Sequence, residues 1–238
     1  MAELSPHGAL MRRFALDWLG RVDPAVPPEI MSADYTVAIG GIELRGLNAY
    51  VPATVGQYER YLGLLLTVHD LIAAPKRIAL RFTLHGAEPG RPPVAWPGIA
   101  LFAHDASVLT RSWVVEDYLA RRRQRESGEC DPIEAPMPAP WAAPELAADA
   151  TAEAAVRAWL AAGELAPVAP TLVKGPVEVT EMFSAGEAVA FAGVQRGVCD
   201  GADASITLVG IVRVTANGPA GHVVQDALGL ARRLGGSP

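Results

Sequence analysis

Two hydrophobic periods alternate along this chain, and the switches between them mark its elements. In "HGALMRRFALDWLGRV" the residues Leu10, Phe14 and Trp18 stand four apart on one helical face, and Pro24, Pro27 and Pro28 end the pattern. "DYTVAIGGIELRG" alternates instead and predicts a hairpin turning at Gly40-Gly41. "LNAYVPATVGQYERYLG" returns to a helical pattern, with Pro52 as a candidate break. The runs "LLLTVHDLIA", "RIALRFTLHG", "GIALFAH" and "VLTRSWVVEDYL" then read as successive strands. Helix, hairpin, helix and a run of antiparallel strands predict an α+β fold, with helices on one face of a curved sheet.

The stretch "SGECDPIEAPMPAPWAAPE" places five prolines between Ser127 and Glu145. It cannot continue a sheet and reads as an extended linker, the alternative being a disordered loop within one domain. Beyond it the pattern repeats. "TAEAAVRAWLAAG" is a helix in which Trp159 stands where Trp18 stood. Residues 179–197, "VTEMFSAGEAVAFAGVQRG", align without a gap on residues 68–86, "VHDLIAAPKRIALRFTLHG". "GIVRVTANG" follows "GIALFAHDA", and "HVVQDAL" follows "WVVEDYL". This self-similarity predicts a tandem duplication and favours the linker reading. About 50 residues separate Trp18 from Val68, but only about 20 separate Trp159 from Val179, so the second copy lacks most of the hairpin and of the second helix. The boundaries are therefore 1–126 for a complete unit, 127–148 for the linker and 149–238 for a truncated unit. The first copy has the parts for a walled pocket, and the second reads as a structural half packed against it.

Composition narrows the function. Half of the 238 residues are hydrophobic and the net charge is −6, which supports a real core and argues against nucleic acid or an anionic membrane surface as partner. No apolar run reaches the roughly 18–20 residues of a membrane span, and the first residues lack a basic-then-apolar signal, so a cytoplasmic protein is expected. Cys130 and Cys199 are isolated and read as ordinary thiols. No phosphate-loop, dinucleotide or zinc pattern occurs, and no metal or cofactor is expected.

Together, "GLLLTVHDLIAAPKRIALRFTLHG", "GIALFAHD" and "WVVEDYL" resemble the SnoaL-like polyketide cyclases of the NTF2-like superfamily. The resemblance covers about residues 8–126 and, abbreviated, 151–234. It implies two cone-shaped NTF2-like units, the second truncated, paired sheet against sheet within the chain, with a further homodimer left open. It also implies cofactor-independent acid/base chemistry on an apolar small molecule: ring closure, isomerisation or a related elimination in natural-product biosynthesis. The family's Trp-x-x-x-Asp falls on Trp113 and Asp117, which gives Asp117 the role of general acid/base. The related limonene epoxide hydrolases use an Arg and two Asp. Arg81 could supply the Arg, but Val115 is apolar where a second acid would stand, leaving Glu43 or Asp34 as candidates.

Each candidate has a plainer alternative. Walled by Trp113, Asp117 would be desolvated and its pKa raised toward neutrality; otherwise it caps a helix starting at "YLARRR", and its return as Asp226 suits a recurrent cap. His69 is a proton partner or a partly exposed strand histidine. Arg81, Thr83 and His85 share a strand face that either lines the pocket, with Arg81 stabilising an enolate or carboxylate, or lies between the halves or faces water. Trp18, Tyr35, Trp96 and Phe102 are pocket wall or plain core, and "HGAEPGRPPVAWPG" is a candidate lip. Arg121, Arg122, Arg123 and Arg125 read as a solvated terminus. The competing functions are a non-catalytic ligand-binding or interaction module and an epoxide-opening enzyme.

Overall fold

The computed structural model describes residues 4–105, 107–163, 165, 173, 175–199 and 201–233; Ala106 and the end of the repeat beyond Arg233 lie outside them. The chain forms two α+β units. The first opens with α1 (Pro6–Arg12), which widens into a π-helical stretch over Arg13–Leu19. There follow α2 (Pro27–Ile30), β1 (Met31–Ile39), β2 (Ile42–Arg45) and α3 (Leu47–Arg60), which runs through Pro52 unbroken. β3 (Leu62–Ala74), β4 (Arg77–Ala87), β5 (Pro93–Asp105), β6 (Val108–Glu116) and α4 (Tyr118–Ser127) complete it.

The six strands lie in the order β2-β1-β6-β5-β4-β3, antiparallel throughout except that β1 runs parallel to β6. At the β1–β2 turn Gly40 and Gly41 have φ of 55° and 77°, the two left-handed residues that a tight hairpin requires. The concave face of this sheet and helices α1 and α3 enclose one apolar core containing Trp18, Tyr35, Tyr50, Phe82, Trp96 and Phe102. Helix α4 is pinned across β5 by Gln124, which is fully buried and exchanges hydrogen bonds with both Ala95 N–H (2.8 Å) and Ala95 C=O (2.5 Å).

The second unit consists of α5 (Ala150–Ala162), β7 (Val177–Ala185), β8 (Ala188–Cys199), β9 (Ala202–Thr215), β10 (Gly218–Gln225) and α6 (Ala227–Arg233). Its sheet has four antiparallel strands. Helix α5 lies directly on that sheet, Val156 and Leu160 packing with Phe191 and Leu208, so the space that is hollow in the first unit is filled here.

The two sheets meet back to back. Ile72, Ile99, Leu101 and Val115 of the first pack on Phe183, Ala190, Val209 and Ile211 of the second. Ion pairs flank the seam: Arg77 with Glu181 at 2.9 Å, and Arg213 clasping both oxygens of Asp70 at 2.9 and 3.1 Å. The proline-rich segment is extended, as its composition requires, and it is docked along β3. Met137 N–H donates to Val68 C=O and Leu146 N–H to Ala73 C=O, each at 2.8 Å. Strand β3 is the sheet edge, and the segment takes up carbonyls that the edge would otherwise leave exposed.

Candidate active site

A cavity of about 90 Å³ lies inside the first unit, between the concave sheet face and α3. That is smaller than the roughly 150 Å³ of an engineered cavity that binds benzene, and holds several waters or a small apolar group. Its walls follow from strand parity. Tyr35, Val37 and Ile39 of β1, Leu80, Phe82 and Leu84 of β4, Ala100 and Phe102 of β5, and Ser112, Val114 and Glu116 of β6 all point inward. From α3 come Tyr50, Thr54, Gln57 and Tyr58, spaced on one helical face.

Glu116 is the one carboxylate among the described residues lining this space. It is 5% exposed, and Trp96 Nε1 donates to its Oε2 at 2.7 Å. Burial lifts its pKa above the ordinary carboxylate range; the Trp96 hydrogen bond and the charge of Arg121 oppose that rise. Room for it comes from Gly98, its partner on β5: a Cβ there would lie 2.5 Å from the Phe82 ring and 3.2 Å from Glu116 Cγ. The other polar groups are phenols and an amide. Tyr35 Oη and Ser112 Oγ share a hydrogen bond at 2.7 Å. Trp18 Nε1, which can only donate, gives its proton to Tyr50 Oη at 3.1 Å, so the Tyr50 phenol keeps its own proton to donate. Tyr58 Oη is buried with no hydrogen-bond partner among the described residues, while the Gln57 amide and the Tyr118 hydroxyl sit close enough to Glu116 to draw its pKa down. An apolar chamber with one buried acid and unspent donors is the arrangement of a site for proton transfer on an uncharged ligand.

Several sequence-derived assignments move. Asp117 lies outside the cavity lining: it is the N-cap of α4, its Oδ1 accepting from Ala120 N–H at 2.8 Å. Burial still raises its pKa, against the pull of the Ala120 and Leu119 amides. Asp226 repeats the device, accepting from Gly229 N–H at 3.0 Å ahead of α6, so the recurrent cap accounts for the Asp in both copies. The sequence reading walled Asp117 with Trp113, but alternation in β6 turns Trp113 and Val115 toward the second sheet. There Trp113 packs at the seam beneath the Arg111 guanidinium, 5.0 Å from its ring centre. Arg81 also faces away from the cavity and binds both oxygens of Glu134, at 2.6 and 2.8 Å. His69 occupies a register shift of β3, with Nε2 2.8 Å from Thr83 Oγ1 and Nδ1 3.1 Å from Ala135 C=O. His85, 3.0 Å from Thr67 Oγ1, borders the docked segment on the same outer face.

Of the expected wall residues, Tyr35 and Phe102 line the cavity. Trp18 and Trp96 stand one layer behind it, orienting Tyr50 and Glu116, and Trp96 is a fully buried residue of β5 rather than the end of a lip. Glu43 bonds Arg111 and Arg45, and Asp34 is exposed, so neither supplies the second acid of an epoxide-opening site.

Glu116, Gln57, Tyr58, Tyr50 and Ser112 were missed. One signal was present. The aligned pair "WVVEDYL" and "HVVQDAL" keeps the Asp and changes the acid before it to Gln225, which is buried and bonded to Gln195 at 3.1 Å. The residue that differs between a hollow copy and a filled one is the one that lines the cavity, and the one that is shared caps a helix.

The chain is similar to several solved structures, each over about half of its length. Among them are a candidate polyketide cyclase from Acidithiobacillus ferrooxidans (TM-score 0.48, 16% identity, 54% of this chain and 100% of that one) and a candidate SnoaL-like polyketide cyclase from Jannaschia sp. CCS1 (0.47, 15%, 53% and 96%). A third is AclR of Streptomyces galilaeus, described as a candidate hydroxylase (0.46, 17%, 52% and 98%). No family model and no curated protein matches the sequence.

Proposed function

We propose that the protein is an acid/base enzyme acting on an apolar, carbonyl-bearing small molecule, with Glu116 as the proton carrier. The observation that carries this is a single buried carboxyl, fixed by Trp96 at 2.7 Å, on the wall of an otherwise apolar cavity. In the reaction, the Glu116 carboxylate removes a proton from the carbon next to the ligand's carbonyl. The electron pair of that C–H bond forms the new C=C bond while the carbonyl π pair moves onto oxygen, giving an enolate. The unspent Tyr50 and Tyr58 hydroxyls are the donors for that oxygen. The proton then returns from Glu116, either to a different carbon of the enol system, which is an isomerisation, or to the alkoxide left when the enolate carbon attacks a second carbonyl of the same molecule, which is ring closure. A carboxyl with a raised pKa suits both directions of transfer.

The test is proton exchange. Acetone incubated in D2O with the wild-type protein should take up deuterium beside its carbonyl, followed by NMR, much faster than with Glu116→Gln. Equal uptake with the two proteins would overturn the assignment. Native mass spectrometry of gently purified protein should find any retained ligand to be small and uncharged at its reacting end.

A further inference from the structure

The fold gathers five arginines into one concavity outside the cavity. Arg60 comes from the end of α3, Arg91 from the β4–β5 loop, and Arg121, Arg122 and Arg125 from α4. The hollow measures about 300 Å³, and Leu228 of α6 contributes to its wall, so the second unit helps to shape it. The run on α4 alone reads as a solvated helix end; only the fold brings Arg60 and Arg91 to it.

Like charges this close repel, and the carboxylates nearby do not balance them. Glu88 is shared by Arg91 (3.4 Å) and Arg125 (3.0 Å), and Glu126 is taken by Arg122 (2.8 Å). Arg121 and Arg60 form no salt bridge among the described residues, although Arg121 lies near enough to the buried Glu116 to feel its charge. Arg121 is held in a cage of rings, its guanidinium carbon 4.3 Å from the centre of Tyr118, 5.0 Å from Trp96 and 5.4 Å from Tyr61. Four of the five cations are thus fixed by neighbours before any ligand arrives, which lowers the entropy cost of binding. A concave site with surplus, pre-positioned guanidinium groups suits a compact, multiply charged anion, and guanidinium forks match phosphate oxygens two at a time.

We infer that this pocket is a binding site for a phosphate-bearing small molecule. It stands apart from the chemistry proposed for Glu116, although the floor is shared: Trp96 lies under Arg121 and donates to Glu116 on its other side. Two sources fit the same chemistry. The phosphate belongs to the substrate, its apolar end reaching toward the cavity, or to a separate ligand.

The experiment is calorimetric titration of the full-length protein with inorganic pyrophosphate, beside the Arg60→Gln/Arg91→Gln double variant. Both arginines are exposed, and the pair of Arg91 with Glu88 at 3.4 Å is of the solvent-screened kind that contributes little to stability, so the variant should keep the wild-type melting temperature. Saturable one-site binding is expected, weakened in the double variant by about tenfold or more. It should also weaken as salt is raised. Absence of saturable binding, or equal binding by wild type and variant, overturns the inference. So does equal competition by chloride at the same ionic strength, which would mean an adventitious ion only. Phenyl phosphate separates the sources. If it binds more tightly than phosphate and slows deuterium uptake into acetone, the phosphate is the substrate's; if it binds without slowing uptake, the ligand is separate. The titration itself needs no turnover, so it can fail with Glu116 chemistry intact and succeed without it.

Discussion

Two adjacent acids on one strand end can be separated by experiment, because the fold gives them different work. Asp117 holds the first turn of α4 through a 2.8 Å bond to Ala120 N–H. Asp117→Ala should therefore lower stability by about 1 kcal/mol, the usual cost of a lost cap. In a chain of this size that is a fall of about 2–4 °C in melting temperature. Asp117→Asn keeps an oxygen in the capping position, and Asn caps about as well as Asp. It loses only the charge facing the helix dipole, about 0.3–1 kcal/mol, so its melting temperature should stay within about 3 °C and its turnover unchanged. Glu116→Gln should behave oppositely. The amide oxygen still accepts from Trp96, and no charge is left to bury, so stability should hold or rise. Proton transfer is gone, and turnover should fall by about 10²–10⁴. Thermal melts followed by circular dichroism and deuterium uptake followed by NMR measure both quantities on the same samples. Loss of turnover in Asp117→Asn with Glu116→Gln still active would refute the assignment, and would restore the acid that the Trp-x-x-x-Asp spacing had pointed to.

Other consequences can be measured separately. Because burial raises the Glu116 pKa above its ordinary 4.5, the folded state binds that proton more tightly than the unfolded chain does. The resulting stabilisation is complete below 4.5 and is lost as pH rises through the folded value. Urea melts of wild type should thus fall relative to Glu116→Gln between acid and neutral pH; parallel curves for the two would contradict the burial argument. Gly98→Ala forces a methyl to 2.5 Å from the Phe82 ring and should cost about 1–3 kcal/mol while displacing Glu116, so deuterium uptake should drop with stability. The amides of Met137 and Leu146, bonded to β3 at 2.8 Å, should exchange slowly with solvent; fast exchange would mean a free linker. The Arg81 guanidinium holds Glu134 down at about 2, which NMR titration of its carboxyl can check.

Much of the architecture was legible in the sequence, because periodicity and turn chemistry are local. The four apolar strands, the Gly40-Gly41 turn, the amphipathic start and the duplication all read directly from residue spacing. The shortened second copy was legible too, since a missing hairpin is a missing length of chain. Strand alternation likewise identified two faces for β6. It could not say which face looked inward, since both carry apolar residues: Ser112, Val114 and Glu116 on one, Trp113 and Val115 on the other. A sheet packed on both sides buries both faces, and that burial removes the polar–apolar contrast from which orientation is read. The Trp-x-x-x-Asp spacing pointed to Asp117, whereas the acid on the cavity wall is its neighbour Glu116.

What the sequence determined by itself is the set of elements, their order and the repeat. What only the tertiary structure decided is which side chains share a space. Glu116 meets Tyr58 and Gln57 because α3 crosses the concave face of the sheet, and Arg60 meets Arg121 because α3 ends beside α4. Those meetings join residues about 60 positions apart in the chain, and no local propensity encodes them. They are set by how helices close over a curved sheet, a matter of packing between elements rather than of pattern within one.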